Sequence, residues 1–294
     1  MVQLLSQGRA CITVSVWYTS CEENLGAEPN QGRLEMAIET TPYTVPSLCD
    51  GNAWSVPDAD LLAVQIAMVA LGQADHLAEI LKAAGVPQVE ADDIARSEAV
   101  KLVTASVESP YHRDGWFFQV MSWICAHRLN AKSAIRTPHM ILAHKGLDGL
   151  QVEADESGVS HVVIFEDKAT DNPRDVIRDE VWPEFRDLES GSRQNMIAAE
   201  VVSLLKSSGY PDATDAVKNI IWREARVFKA SITVGDYHAS PRGLSSLFAD
   251  YDEVVKGDMS RRRGDIFHVA DLRGWMEELG RKVIANLDSG VKSV

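Results

Sequence analysis

The sequence predicts an α/β protein in which a mixed central sheet is flanked by helices. Two observations support this fold class. Helical and strand-like segments follow the order αβββαβ between residues 106 and 240, and the apolar residues of the helical segments recur with helical spacing. The chain has 294 residues, of which 45% are hydrophobic, enough for one large core or two modest ones. We therefore expect an α+β region at 1–105, the αβββαβ core at 106–240 and a helical extension at 241–294.

In the first of these regions, residues 1–105, the sequence predicts secondary structure but offers no candidate catalytic or binding residues. Residues 10–17 are rich in β-forming residues, and residues 26–52 carry turn-forming Gly, Pro and Asn. From Asp58 the apolar residues take helical spacing, with Asp58 suited to cap the start of the helix and Gly85 suited to end it. We interpret this stretch as an amphipathic core helix, and the role of residues 1–105 stays open.

The core region divides into six segments. A helix rich in aromatic residues is predicted from about Asp114, and its aromatic residues are expected in the core. A polar stretch at 170–191 precedes a second helix capped by Ser192. The predicted strands lie at 137–143, 147–153, 161–169 and 225–234.

Charge, cysteine content and apolar runs limit the class of protein. Asp plus Glu exceed Lys plus Arg by 43 to 29, a net charge of −14, which argues against a wholly basic nucleic-acid coat protein. The 4 cysteines form no CxxC pair, so a disulfide framework or zinc ribbon is not expected. The first nine residues do not resemble a signal peptide, and the apolar stretch 61–71 is shorter than the about 20 residues that a membrane span requires. We expect a cytoplasmic protein.

Short motifs for other enzyme classes are absent from the sequence. It contains no GxGxxG, GxxxxGK[ST], HExxH or GxSxG, so dinucleotide, P-loop, zinc-protease and serine-hydrolase sites have no motif in their favour. The histidines are scattered, and His139 and His144 are expected to be structural rather than metal ligands.

One group of residues carries candidate chemistry. Asp148 lies early in the second predicted strand, and Glu166 and Lys168 end the third. Side chains two apart on a strand share a face, so Glu166 and Lys168 point the same way and Asp167 points the other way. If these strands form a hairpin, Asp148 approaches Glu166, and two carboxylates are suitable ligands for Mg²⁺ or Mn²⁺. The alternative is a salt-bridged strand end at the surface.

With these residues in this order, the region 109–235 resembles the PD-(D/E)xK, or restriction-endonuclease-like, nuclease superfamily. The resemblance implies that Asp148 and Glu166 ligate the metal, that the main-chain carbonyl of Asp167 completes the coordination, and that Lys168 is the catalytic lysine. It also implies a role for a polar residue on the following helix, where Gln194 stands.

Two features depart from the family pattern. Asp148 follows Gly146 and Leu147 rather than a proline. The first helix offers Gln119 and Asp114, so the carboxylate ligand that some members carry on this helix is in doubt.

The resemblance implies a Mg²⁺-dependent nuclease acting on DNA, with RNA as a substrate that the sequence leaves open. An acidic chain with an unfamiliar N-terminal region resembles effector subunits of bacterial anti-phage systems, such as Hachiman-type nucleases and cyclic-oligonucleotide-activated effectors, which often work with a helicase or sensor partner. The alternative from another class is a non-catalytic scaffold or sensor subunit on the same fold. A homo-oligomer is also compatible with the sequence.

Charged segments suggest how partners approach. Residues 148–190 contain 13 acidic and four basic residues, a net charge of −9, which suits a docking surface, an occluding element or a solvated loop. The C-terminal region is the best candidate for phosphate contact, because it contains the run Arg261, Arg262 and Arg263 with Lys256, Arg273, Arg281 and Lys282 nearby. Arg193, beside Gln194, is a further candidate for contact with nucleic acid. A solvated turn and an ordinary helix start are the respective alternatives.

Overall fold

The computed structural model describes residues 36–83, 88, 91–142, 146–155, 158–210 and 225–289. They build a mixed seven-stranded sheet flanked by helices, so the predicted fold class is confirmed. The strands are β1 (Glu39–Val45), β2 (Cys49–Ser55), β3 (Ala134–Ile135), β4 (Gly149–Asp155), β5 (Gly158–Lys168), β6 (Arg226–Val234) and β7 (Arg262–His268).

The helices lie before, between and after these strands. They are α1 (Ala59–Ala70), α2 (Ala74–Ala83), α3 (Asp93–Val103), α4 (Pro110–Leu129), α5 (Pro173–Val176), α6 (Trp182–Ser190), α7 (Gln194–Ser207), α8 (Pro241–Leu247), α9 (Tyr251–Val254) and α10 (Leu272–Ser289). A π-helical turn, Ile177–Val181, connects α5 to α6, and a 3₁₀ turn, Met259–Arg261, precedes β7. None of the described helices has the length and apolar composition that a membrane span requires.

The strand order across the sheet is β1-β2-β7-β6-β5-β4-β3. The hairpin β1–β2 and the meander β3–β4–β5 are antiparallel, whereas β5, β6, β7 and β2 run parallel to one another. Parallel strands need a crossover connection, and α5, α6 and α7 lie in the segment between β5 and β6. The parallel strands are therefore covered by helices on both faces.

Each face of the sheet has its own apolar core. On β5, Val163 and Phe165 pack with α1, α4 and α10, whereas Val162 and Ile164 pack with α6, α7 and α9. β6 is buried along its whole length, as expected for a strand covered on both faces. This alternation on β5 sets the direction of the polar side chains at its end.

The predicted N-terminal helix is two helices. Asp58 caps α1 as predicted, because its side chain accepts hydrogen bonds from the N–H groups of Asp60 and Leu61. The chain turns at Gly72, whose φ of +75° suits glycine, and α2 follows. The predicted stop at Gly85, the predicted strand at 10–17 and His144 lie outside the described residues.

Several predicted boundaries move in the core. The strand predicted at 137–143 is wrong for its described residues, 137–142: among the residues described there, Ala134–Ile135 pair with β4, and Pro138, which has no N–H, lies in the next stretch. α4 begins at Pro110 rather than near Asp114, since proline is favoured at the first helical position. Arg193, with a φ of +55°, and not Ser192, precedes α7.

Two segments differ in type from the prediction. The polar stretch at 170–191 is helical, because Trp182, Phe185 and Leu188 bury one side of α6. The extension at 241–294 ends in α10 as predicted but also contains β7.

The regions predicted at 1–105 and 241–294 contribute to the same sheet as the core. Strand β2 pairs with β7, and β7 pairs with β6. The described residues accordingly fall into one compact unit.

Candidate active site

Asp148 lies just before β4, and its carboxylate accepts hydrogen bonds from two different elements. Its Oδ2 accepts a 2.9 Å hydrogen bond from the main-chain N–H of Asp167, and its Oδ1 accepts a 2.7 Å hydrogen bond from Nε2 of Gln119. The adjacent Gly149 permits this approach, because a Cβ there would lie 2.7 Å from the ring of Phe165. The orientation of Asp148 is therefore fixed by β5 and α4 together.

Glu166 and Lys168 share one face of β5, as the strand period predicts. Nζ of Lys168 lies 3.2 Å from Oε2 of Glu166 and 3.8 Å from Oδ2 of Asp148. Glu166 is only 5% exposed. The structure thus brings Asp148, Glu166 and Lys168 into one cluster, which we call the carboxylate–lysine cluster.

The electrostatics of this cluster follow from burial and charge. Burial raises the pKa of Glu166 to about 8; the Asp148 charge adds to the rise and Lys168 opposes it. Burial by itself would lower the pKa of Lys168, but the charges of Glu166 and Asp148 outweigh it and raise that pKa. When both carboxylates are ionised, a single ammonium leaves the cluster with a net negative charge.

Asp167 points to the opposite face of the sheet. Its side chain is buried, and burial raises its pKa to about 7 against the opposing charge of Lys229. In an extended strand, the N–H and C=O of one residue point to the same side. The carbonyl of Asp167 therefore lies on the side from which its N–H reaches Asp148.

The oxygen donors of the carboxylate–lysine cluster fit a divalent cation. In the part of the chain that the structure describes, no three or more His, Cys, Asp or Glu side chains group to hold a metal. The donors here are instead two carboxylates and one main-chain carbonyl, and Mg²⁺ commonly takes one or two carboxylates and keeps several waters. A bound cation would also favour the ionised form of both carboxylates, whose negative charge a single ammonium does not balance.

A cavity of about 430 Å³ opens beside the cluster. One face of α4 lines it with His112, Trp116 and Gln119, which share the spacing i, i+4, i+7. Glu180, from the π-helical turn, and Arg273, from α10, line the other side. π-helical turns occur frequently at functional sites.

Sequence reasoning missed most of these cavity residues. The helical spacing of His112, Trp116 and Gln119 was the available signal for α4. Trp116 is also a core residue, as predicted, since it is 2% exposed and its Nε1 donates to the His139 carbonyl. Arg273 was predicted only as one of the basic residues near the arginine run, and no local signal marks Glu180, because both reach the cavity from elements far from α4 along the chain.

Gln194 lies outside the contacts of the carboxylate–lysine cluster. It is exposed at the start of α7, and among the described residues it neither lines the cavity nor hydrogen-bonds to the cluster. Arg193 pairs with Glu184 of α6. The structure gives Arg193 this intramolecular contact.

The three consecutive arginines make contacts within the fold. Arg261 pairs with Glu189 at 2.9 Å, and Arg263 pairs with Glu153 at 2.6 Å. Arg262 donates to main-chain carbonyls, among them that of Leu48 at 2.6 Å. Arg261 and Arg262 are 7% and 4% exposed, so their guanidinium groups are engaged inside the fold rather than offered to DNA.

Comparison with known proteins assigns the chain to no family. No protein-family model matches the chain, and no curated protein matches it. The function proposed below therefore depends on the contacts of Asp148, Glu166 and Lys168.

Proposed function

We propose that this protein is a metal-dependent nuclease that hydrolyses DNA phosphodiester bonds. The single observation that carries the proposal is the carboxylate–lysine cluster at the end of β5, of which Asp148 and Lys168 line the 430 Å³ cavity. The order of elements from α4 to β6 and the residues of the cluster are those that the PD-(D/E)xK superfamily implies. RNA is a second substrate with the same chemistry.

Asp148, Glu166 and the main-chain carbonyl of Asp167 would hold Mg²⁺ or Mn²⁺. When bound, such a cation polarises the phosphodiester and lowers the pKa of a coordinated water. Gln119 and the N–H of Asp167 orient Asp148 by occupying one oxygen each.

Lys168 supplies positive charge to the reacting phosphate. Its raised pKa keeps the ammonium protonated at neutral pH, and its 27% exposed side chain lines the cavity. A fixed ammonium stabilises the negative charge that develops on the phosphate oxygens. Hydrolysis adds water across one P–O bond, which leaves one phosphomonoester end and one hydroxyl end.

The charge of the protein suggests that it works with a partner. The net charge of −14 opposes the approach of DNA, and the arginine run is engaged internally. We propose that a helicase or sensor subunit brings the DNA, as in a cytoplasmic bacterial anti-phage effector. The described cysteines, Cys49 and Cys125, are free and buried, which suits a reducing compartment.

A non-catalytic scaffold or sensor subunit is the second candidate. The observation in its favour is that Lys168 already pairs with both carboxylates, which gives the cluster a structural role without any metal. Metal binding distinguishes the two candidates.

The test is cleavage of plasmid, linear and single-stranded DNA with Mg²⁺, Mn²⁺ or EDTA, in the presence and absence of the partner. Glu166→Ala should abolish metal-dependent cleavage, and Lys168→Ala should lower it by about 10²–10³-fold. Glu98→Ala and Lys101→Ala are matched controls, because these residues form an exposed pair on α3. Calorimetry should show Mn²⁺ binding that Glu166→Ala removes; absence of cleavage together with absence of such binding contradicts the proposal.

A further inference from the structure

A second cavity, of about 740 Å³, lies among α2, α4, α7 and the short strand β3. Its volume is within the range of about 300–1,000 Å³ that is usual for small-molecule sites. None of the residues of the carboxylate–lysine cluster lines it. It is therefore a separate site.

Two aromatic side chains of α4 reach this cavity with unused hydrogen-bonding groups. Trp123 is 3% exposed and His127 is 6% exposed, and both line the cavity. Nε1 of Trp123 and both ring nitrogens of His127 have no hydrogen-bond partner among the described residues. Leaving a buried polar group unsatisfied is destabilising, and these three atoms belong to two side chains that line the same cavity.

Arg136 adds a third side chain with an unused donor. Its terminal nitrogens are engaged by Glu200 of α7 and by the carbonyl of Leu147. Its Nε, however, has no partner among the described residues, although the side chain is only 17% exposed and lines the cavity.

The unused groups are mainly donors. The indole N–H and the Nε–H of Arg136 can only donate. Burial lowers the pKa of His127 to about 4, with a smaller contribution from Lys82, so at neutral pH its imidazole offers one donor and one acceptor. Acceptor-rich oxyanions are the natural partners of such a set.

The charges that line the cavity permit an anion. Lys82 pairs with Glu79 at 3.1 Å, and Arg136 pairs with Glu200. Lys132 and the exposed Asp75 also line the cavity, and neither has an ion pair to any described residue. The site is close to neutral, and its unpaired ammonium is available to an incoming oxyanion.

We propose that this cavity binds a small organic oxyanion, a phosphate ester or a carboxylate, held by the N–H groups of Trp123 and Arg136 and by the His127 imidazole. The proposal does not depend on the proposed nuclease function. Arg136 also contacts Leu147, the residue before Asp148, so the ligand would touch a side chain that supports the candidate active site.

The test follows the indole N–H signals of the full-length ¹⁵N-labelled protein by NMR. The probes are inorganic phosphate, adenosine monophosphate and succinate, each titrated to about 10 mM, which detects millimolar affinities. At least one probe should shift the Trp123 signal in a saturable manner, and comparison of the probes identifies the oxyanion. Trp54 is an internal control, since its Nε1 is also buried without a partner among the described residues but lies outside the cavity.

Two variants complete the test. Arg136→Lys, which keeps the charge but removes the guanidinium donor, should weaken binding of the active probe about tenfold. Trp123→Phe lacks the reporting indole, so its binding is measured by calorimetry beside the wild type and should be weakened similarly; an unchanged Trp54 signal verifies that each variant is folded. An unshifted Trp123 signal with all three probes would mean that water alone fills the cavity, and equal shifts of Trp54 and Trp123 would mean a non-specific effect. Either result overturns the proposal.

Discussion

The side-chain amide of Gln119 donates a 2.7 Å hydrogen bond to Oδ1 of Asp148. These residues are 29 positions apart and belong to different elements, the middle of α4 and the residue before β4. The bond leaves Oδ2 of Asp148 directed towards Asp167 and Lys168. Gln119 therefore positions a candidate metal ligand from a helix on which the sequence offers no carboxylate at the corresponding place.

Gln119→Leu should lower cleavage by about 10- to 100-fold, the usual cost of removing a group that orients a metal ligand. The reason is that Asp148 loses one of its two fixed hydrogen bonds while its charge remains. Single-turnover cleavage at saturating Mn²⁺, together with calorimetric Mn²⁺ affinity, measures the effect. Unchanged rate and affinity would show that the N–H of Asp167 is sufficient to orient Asp148.

Lys168→Met and Glu166→Gln should separate catalysis from metal binding. Lys168→Met removes a cation 3.2 Å from Glu166, so we expect Mn²⁺ to bind as tightly as before or more tightly, while cleavage falls by about 10²–10³-fold. Glu166→Gln should lose both. Equal loss of Mn²⁺ affinity in the two variants would contradict the role assigned to Lys168.

The pH dependence of stability should reveal the buried charge of Glu166 in the metal-free protein. Burial raises the pKa of Glu166 from 4.5 to about 8, so the folded state binds this proton more tightly than the unfolded state does. The contribution is present below pH 4.5 and is lost as the pH rises towards 8. We expect Glu166→Gln to gain stability relative to the wild type over this range in urea denaturation, and saturating Mg²⁺ to remove the difference. A constant difference from pH 5 to pH 8 would contradict the raised pKa.

Arg261→Met should affect folding rather than DNA binding. Arg261 is 7% exposed and holds Glu189 at 2.9 Å; loss of one partner of a buried ion pair typically costs about 3–5 kcal/mol. Chemical denaturation measures this cost. Arg281→Met is the control, because Arg281 is 65% exposed and pairs only with its neighbour Glu278 among the described residues. A DNA affinity that falls while stability is unchanged would restore the phosphate-contact hypothesis.

The αβββαβ order was predictable for those elements whose buried side chains recur with the regular spacing of a helix or a strand. The apolar run that ends in charge predicted β5, and β6 was predicted to within one residue. Elements built from polar residues were missed. β7 begins with Arg262 and Arg263 and includes Asp265. Such residues form a strand here because charged partners in other elements neutralise them. Arg263 pairs with Glu153, 110 positions away, and Asp265 pairs with Lys229 at 3.2 Å.

The sequence by itself determined that Glu166 and Lys168 share a face and that Asp167 does not, because side chains alternate along any strand. It also predicted Asp148 within reach of a hairpin partner, early in the neighbouring strand, whereas the structure places this residue one position before β4. Only the tertiary structure decided that Gln119 holds Asp148, that Glu180 and Arg273 line the cavity, and that Gln194 and the arginine run lie elsewhere. The physical reason is that local periods fix direction within an element, whereas contacts between distant elements depend on how the helices pack on the sheet.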